Sequence, residues 1–229
     1  VVTEDGDLPL AGARAAAGIE PLRTVELLGH DERVRELLVP YRGERLRGVA
    51  LLRQLDDWVH RGIVEPTLAD AVGAVVRHPE WLDLRDRTIA MIGAGSEMGP
   101  YLQLMAWGAT VAAVDLPRPQ VWQRLLDRAA ASAGRVLVPV PRSSSAATGV
   151  DAAGVAGADL LTQCVPMSDW LAQVPGPLTI GNYGYLDGAG FVRLTVAFGA
   201  LLAELARRRT DLSVNYLATP SDVYRAQYG

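Results

Sequence analysis

Lysine is missing from this sequence, and all 22 basic residues are Arg. Without it there is no amine for Schiff-base chemistry and no lysine-dependent proton relay. Cysteine occurs once, at Cys164, and histidine three times, at His30, His60 and His78. One Cys cannot close an internal disulfide, and these scattered residues do not have the spacing of a metal-ligand cluster, so no metal is expected. A single thiol also fits a reducing, cytoplasmic compartment. No uncharged apolar run approaches the roughly 20 residues of a membrane helix, and Val1-Val2-Thr3-Glu4-Asp5 has neither the basic nor the apolar region of a signal peptide. No membrane partner is expected on that basis. Nor is there a basic surface: the formal net charge of −4 argues against a nucleic-acid partner, which would need phosphates neutralised. The chain also lacks an initiating Met, as a processed terminus, an omitted start or a piece of a longer polypeptide would.

What is present is a chain of 229 residues with 49% hydrophobic content, enough for a substantial core. The first forty residues, with Pro9, Pro21 and Pro40, have no sustained period and read as loops with short helices. From Gly43 to Gly62, Leu46, Val49, Leu52, Leu55, Trp58 and Val59 recur at helical spacing, and Gly62 can close that helix. A second helix follows Pro66, with Leu68, Ala71, Val72, Val75 and Val76 as its apolar stripe, and ends at His78-Pro79.

From Thr88 the texture changes to short Val- and Ile-rich runs separated by helical stretches, the alternation of a parallel sheet covered on both faces. Strands are expected near 88–92, 110–114, 135–140, 159–163, 177–180 and 212–217. Helices are expected near 97–107, 120–133, 168–173 and 191–209. The last is apolar almost all round, which predicts either burial in the monomer or a homodimer interface. Arg207, Arg208 and Arg209 are expected to neutralise its negative end. The organisation predicted is a helical region over 1–84 and an α/β domain over 85–229.

Directly after the first parallel strand comes Gly93-Ala94-Gly95-Ser96-Glu97-Met98-Gly99. In a strand–loop–helix unit, Gly93 permits the tight turn, Gly95 lets backbone approach a pyrophosphate, and Gly99 lets helix and strand pack closely. Free N–H groups at the helix start are then expected to face the anion. Asp115 ends the next strand, twenty residues after Gly95, where a carboxylate can accept from ribose hydroxyls. The stretch from Thr88 to Asp115 resembles the nucleotide-binding half of the NAD(P)-binding Rossmann superfamily, with the wider Gly-x-Gly-x-x-x-Gly spacing found in several dehydrogenase families. That resemblance implies a doubly wound parallel sheet of about six strands and an NAD or NADP cofactor. Asp115 favours NAD, whereas Arg118, beside Leu116 and Pro117, can accommodate a 2′-phosphate. Arg142 is a further group able to reach the adenosine end.

Ligands of open α/β sheets lie outside the carboxyl ends of the strands. The loops expected there are Thr162-Gln163-Cys164 and Asn182-Tyr183-Gly184-Tyr185-Leu186-Asp187. Tyr183, Tyr185 and Asp187 are candidates for proton transfer, with Asn182 as an orienting amide. The alternative is a Gly-rich turn whose tyrosines pack on the core, with Cys164 a small buried hydrophobe. Short-chain dehydrogenases pair a Tyr with a Lys, which this chain cannot do; Arg193 is the candidate cation in its place. His60 and His78 are expected at the surface or at helix ends.

Three functions follow from this pattern. The first is an NAD(P)-dependent oxidoreductase acting by hydride transfer on a small organic substrate. The second is an S-adenosylmethionine-dependent methyltransferase, against which stands Met91 where such enzymes commonly carry an acid. A third is a non-catalytic nucleotide-binding domain.

Overall fold

The computed structural model describes residues 2, 3, 6, 7, 20–146 and 148–216. Two short antiparallel strands, β1 (Val2–Thr3) and β2 (Gly6–Asp7), pair with each other. Strand β3 (Leu22–Leu28) follows, then a hairpin of β4 (Val39–Tyr41) and β5 (Glu44–Leu46). Two helices, α1 (Gly48–His60) and α2 (Pro66–Arg77), pack on each other, with Gly62 in the left-handed region just beyond α1 as expected of a helix terminator. The remainder alternates: β6 (Thr88–Ile92), α3 (Tyr101–Ala106), β7 (Thr110–Val114), α4 (Pro119–Ala130), β8 (Arg135–Pro141), α5 (Cys164–Ala172), β9 (Leu178–Asn182), α6 (Ala189–Arg208) and β10 (Leu212–Tyr216).

The central sheet has six strands in the order β10-β9-β6-β7-β8-β3. All neighbours are parallel except β3, which runs antiparallel to β8. From β6 the chain steps outward to β7 and β8, then returns to the other side of β6 for β9 and β10. Successive side chains of a strand point to opposite faces, so each strand feeds two cores. Met91, Val111, Ala113, Val136 and Val138 meet α3 and α4 on one face. Ala90, Ile92, Ala112, Leu137, Leu178 and Ile180 meet α5 and α6 on the other. Trp122 of α4 is fully buried, and its indole N–H donates to the Leu116 carbonyl at 3.0 Å.

Several expectations need correction. The first forty residues hold a strand: β3 pairs with β8 along its whole length, from Leu22 opposite Pro141 to Leu28 opposite Arg135. The segment 1–84 therefore contributes an edge to the sheet. Between Gly43 and Gly48 lies β5, the second strand of the β4–β5 hairpin, so the first helix begins later than its apolar period suggests. Residues 159–163 form turns and loop instead of a strand, because side chains capture the backbone. Asp159 Oδ1 accepts from the Leu161 N–H, and Gln163 Oε1 accepts from the Asp159 N–H. Helix α3 starts at Tyr101 and not near Glu97, since residues 93–99 are used in turns.

Helix α6 is long and apolar enough, by length and composition, to cross a membrane, so the expectation of no such run was too narrow. In this fold its Leu194, Phe198, Leu201 and Leu205 are buried against the sheet, while Val192 and Val196 are exposed. Arg207 and Arg208 lie in its last turn, as expected of groups that offset its negative end, whereas Arg209 differs from expectation. Arg209 reaches back to α5, donating to the carbonyls of Leu171, Ala172, Val174 and Gly176, and pairs with Asp211. It therefore satisfies the end of α5 and the turn after it, while Arg208 pairs with Asp169 and Arg207 with Glu204.

Candidate functional site

Where the succession of strands reverses, the loops after β6 and β9 meet. Gly93 leaves β6 with φ of +79°, and a Cβ there would lie 2.5 Å from the Gly184 backbone nitrogen. Any other residue would force the two loops apart while adopting a strained backbone. Tyr183 N–H donates to the Ile92 carbonyl at 2.7 Å, which continues the β9–β6 ladder into that junction.

A cavity of about 540 Å³ opens over the carboxyl ends of β7, β6 and β9, a size suited to a small organic ligand. On the β7 side it is bounded by Asp115, Leu116, Arg118, Val121 and Arg124, and by the loop Ala158–Leu161. Gly93, Gly95 and Ser96 form its middle, and Gly184, Tyr185, Leu186 and Leu194 close the β9 side. The Ala158 N–H donates to the Asp115 carbonyl at 3.0 Å and the Gly157 N–H to the Pro139 carbonyl at 3.0 Å. Those two bonds hold the loop across the ends of β7 and β8.

Asp115 is fixed by the chain itself. Its Oδ2 accepts from the Gly95 N–H at 2.7 Å and its Oδ1 from the Leu116 N–H at 2.8 Å. A Cβ on Gly95 would sit 2.6 Å from Val121 Cγ1 and 3.1 Å from Asp115 Oδ2, so the missing side chain serves the approach of α4 and this carboxylate. The other loop amides are also engaged. Gly93 and Ala94 donate to the Val114 carbonyl, Ser96 to Gly93, and Gly99 to Ser96. The three loop residues that line the cavity, Gly93, Gly95 and Ser96, thus each have their N–H group engaged within the chain. Arg118 and Arg124, both exposed, make no ion pair among the described residues. They are the cationic groups of the cavity wall.

No protein-family model, curated protein or solved structure matches this chain.

The structure brings together Gly93, Gly95, Ser96, Asp115, Leu116, Arg118 and Tyr185 at one cavity. Ala94 lies buried behind the loop, while Glu97 and Met98 are exposed on its outer turn. A Cβ added at Gly99 would lie 3.1 Å from Met91 Cε, so its absence permits the close packing of loop on strand. Thr162, Gln163 and Cys164 are not in the cavity lining. Thr162 is exposed, Gln163 braces the Asp159 turn, and Cys164 is the buried first residue of α5.

The tyrosines separate. Tyr183 is buried against Gly181, its hydroxyl accepts from Asn215 Nδ2 at 3.1 Å, and burial pushes its phenol pKa up. It belongs to the core and not to the cavity lining. Tyr185 is exposed on the lip, and its hydroxyl donates to Asp187 Oδ1 at 2.9 Å. That bond, together with the carboxylate's charge, raises the Tyr185 pKa and keeps it protonated. Asn182 Oδ1 accepts from the Gly184 N–H at 3.1 Å, shaping the loop that carries both tyrosines.

Arg124, Leu160, Leu161 and Leu194 also line the cavity and were not expected there. Leu160 and Leu161 read as strand residues. Arg124 carried a usable signal, since it stands in the helix directly after Asp115.

Proposed function

We propose that this chain is a doubly wound, Rossmann-type NAD(P)-dependent oxidoreductase acting on a small organic substrate. The observation that carries this reading is the cavity over β7, β6 and β9, with a positioned carboxylate at the end of β7 and a glycine loop in its wall.

The residues fit such a cofactor in a particular way. Each Asp115 oxygen accepts one backbone N–H and retains a lone pair for a ribose hydroxyl. Leu116, Val121 and Leu160 offer apolar wall for a flat heterocycle. Phosphate charge falls to Arg118 and Arg124, because the amides of the lining residues Gly93, Gly95 and Ser96 are already bonded. Asp115 suits NAD, and the two guanidinium groups suit the additional phosphate of NADP. When bound, the cofactor supplies the hydride. Tyr185, held protonated by Asp187, donates a hydrogen bond at the lip, and Asp187 is the adjacent proton acceptor.

One observation favours a second reading. S-adenosylmethionine has no pyrophosphate and so does not need the amides that the glycine loop has spent on itself. Calorimetric titration with NAD, NADP and S-adenosylmethionine separates the two. Saturable binding of either dinucleotide, with weaker or no binding of S-adenosylmethionine, is expected; the reverse order overturns the oxidoreductase reading. Binding without turnover of any carbonyl or alcohol would instead favour a non-catalytic nucleotide-binding domain.

A further inference from the structure

The charged residues of the cavity wall are distributed unevenly. Asp115, Arg118, Arg124 and Asp159 all stand on the β7 side. Strands β9 and β7 flank β6 on opposite sides, which separates their ends by about 10 Å at the usual strand spacing. On the β9 side the lining is Ile92, Gly184, Tyr185, Leu186 and Leu194, with no cation among the described lining residues. Arg193 neighbours Leu194 on α6, but it is exposed and does not line the cavity. Among the described residues, the formal charge hydrogen-bonded to the lining at this end is the Asp187 carboxylate behind Tyr185.

We infer that the substrate bound at the β9 end is an uncharged, apolar carbonyl or alcohol, and not an oxo acid or a phosphorylated compound. The inference rests on the oxidoreductase reading, in which the cofactor's own charge is taken up by Arg118 and Arg124. An anion placed between Leu186 and Leu194 would lose hydration without gaining a countercharge, at a cost far above that of burying a neutral carbonyl. It would also face the Asp187 carboxylate through Tyr185. A neutral carbonyl or alcohol instead brings no charge to be compensated and lays its hydrocarbon on Leu186, Leu194 and Ile92.

The test uses two probes of matched length, hexanamide and its carboxylate-bearing counterpart adipamate, titrated calorimetrically into the full chain saturated with NADH or NADPH. The first titration, dinucleotide alone, stands by itself: absence of binding there overturns the oxidoreductase reading and this inference with it. With dinucleotide bound, hexanamide is expected to bind at least tenfold more tightly than adipamate. Leu186 is partly exposed, so Leu186→Arg is a tolerable change, and it is expected to bring the preference to parity or reverse it. Equal or tighter binding of adipamate to the unaltered protein overturns the inference. So does binding of neither probe, or a preference that Leu186→Arg leaves unchanged.

Discussion

Asp115 and Gly95 are locked together at the mouth of the glycine loop, the Gly95 N–H lying 2.7 Å from Oδ2 while the Leu116 N–H holds Oδ1 at 2.8 Å. The carboxylate is thus an internal anchor of the β6–β7 junction, and in the proposed function a ligand group as well. Two backbone donors bound to a charged acceptor are worth about 1–3 kcal/mol, lost when the acceptor is removed. Asp115→Ala is expected to lower the urea-unfolding free energy by that amount. In a direct titration it should also weaken NAD more than NADP, whose added phosphate retains Arg118 and Arg124. Unchanged stability, or equal affinity losses, would remove the anchor or the ribose role respectively.

Arg209 has a side chain only 7% exposed and serves carbonyls from Leu171 to Gly176 as well as Asp211. Its loss strands several acceptors together with a partly buried carboxylate. Arg209→Met is expected to destabilise by roughly 2–4 kcal/mol, and hydrogen exchange should show opening confined first to α5 and β10. A uniform loss of protection across the sheet would contradict that local role.

The tyrosines set an alkaline limit. Burial raises the pKa of Tyr101 and Tyr183, and the Asp187 carboxylate raises that of Tyr185. A group whose folded pKa is raised contributes stability that is fully present below its unfolded value and is lost as pH climbs through the folded one. The tyrosine contribution to stability is therefore expected to be flat below about pH 10, the ordinary tyrosine value, and to fall above it. Tyrosinate absorbance should show a late, unfolding-linked rise that Tyr101→Phe diminishes. A rise of all tyrosinates near pH 10 with the fold intact would refute the assignment.

Much of the sheet was legible because its strands are buried on both faces. Val111 to Val114 and Ala90 to Ile92 form unbroken apolar runs, and the boundaries of β6 and β7 fell where those runs end. Strand β3 was obscured by its edge position. Only Val25 and Leu27 of β3 are buried, while Thr24, Glu26 and Leu28 are exposed, a pattern too short to stand out among Pro21, Arg23 and the Ala- and Arg-rich stretch before them. At 159–163 apolar content misled, because Asp159 and Gln163 bond to the local backbone and turn the chain. Within the site, Gly95, Asp115 and Tyr185 were legible as types at a spacing. That the loop amides bond inward, and that Tyr183 turns into the core, depends on distances no spacing encodes.

The pairing of β3 with β8 ties together segments more than a hundred residues apart. A shortened chain beginning at Thr88 would leave the Arg135–Pro141 backbone bare along one side, with Val136, Val138 and Val140 beside the open groups. Such an edge is a template for self-association. The glycine-loop half is therefore not a detachable module: the stretch that supplies β3 has to travel with it to keep that edge covered.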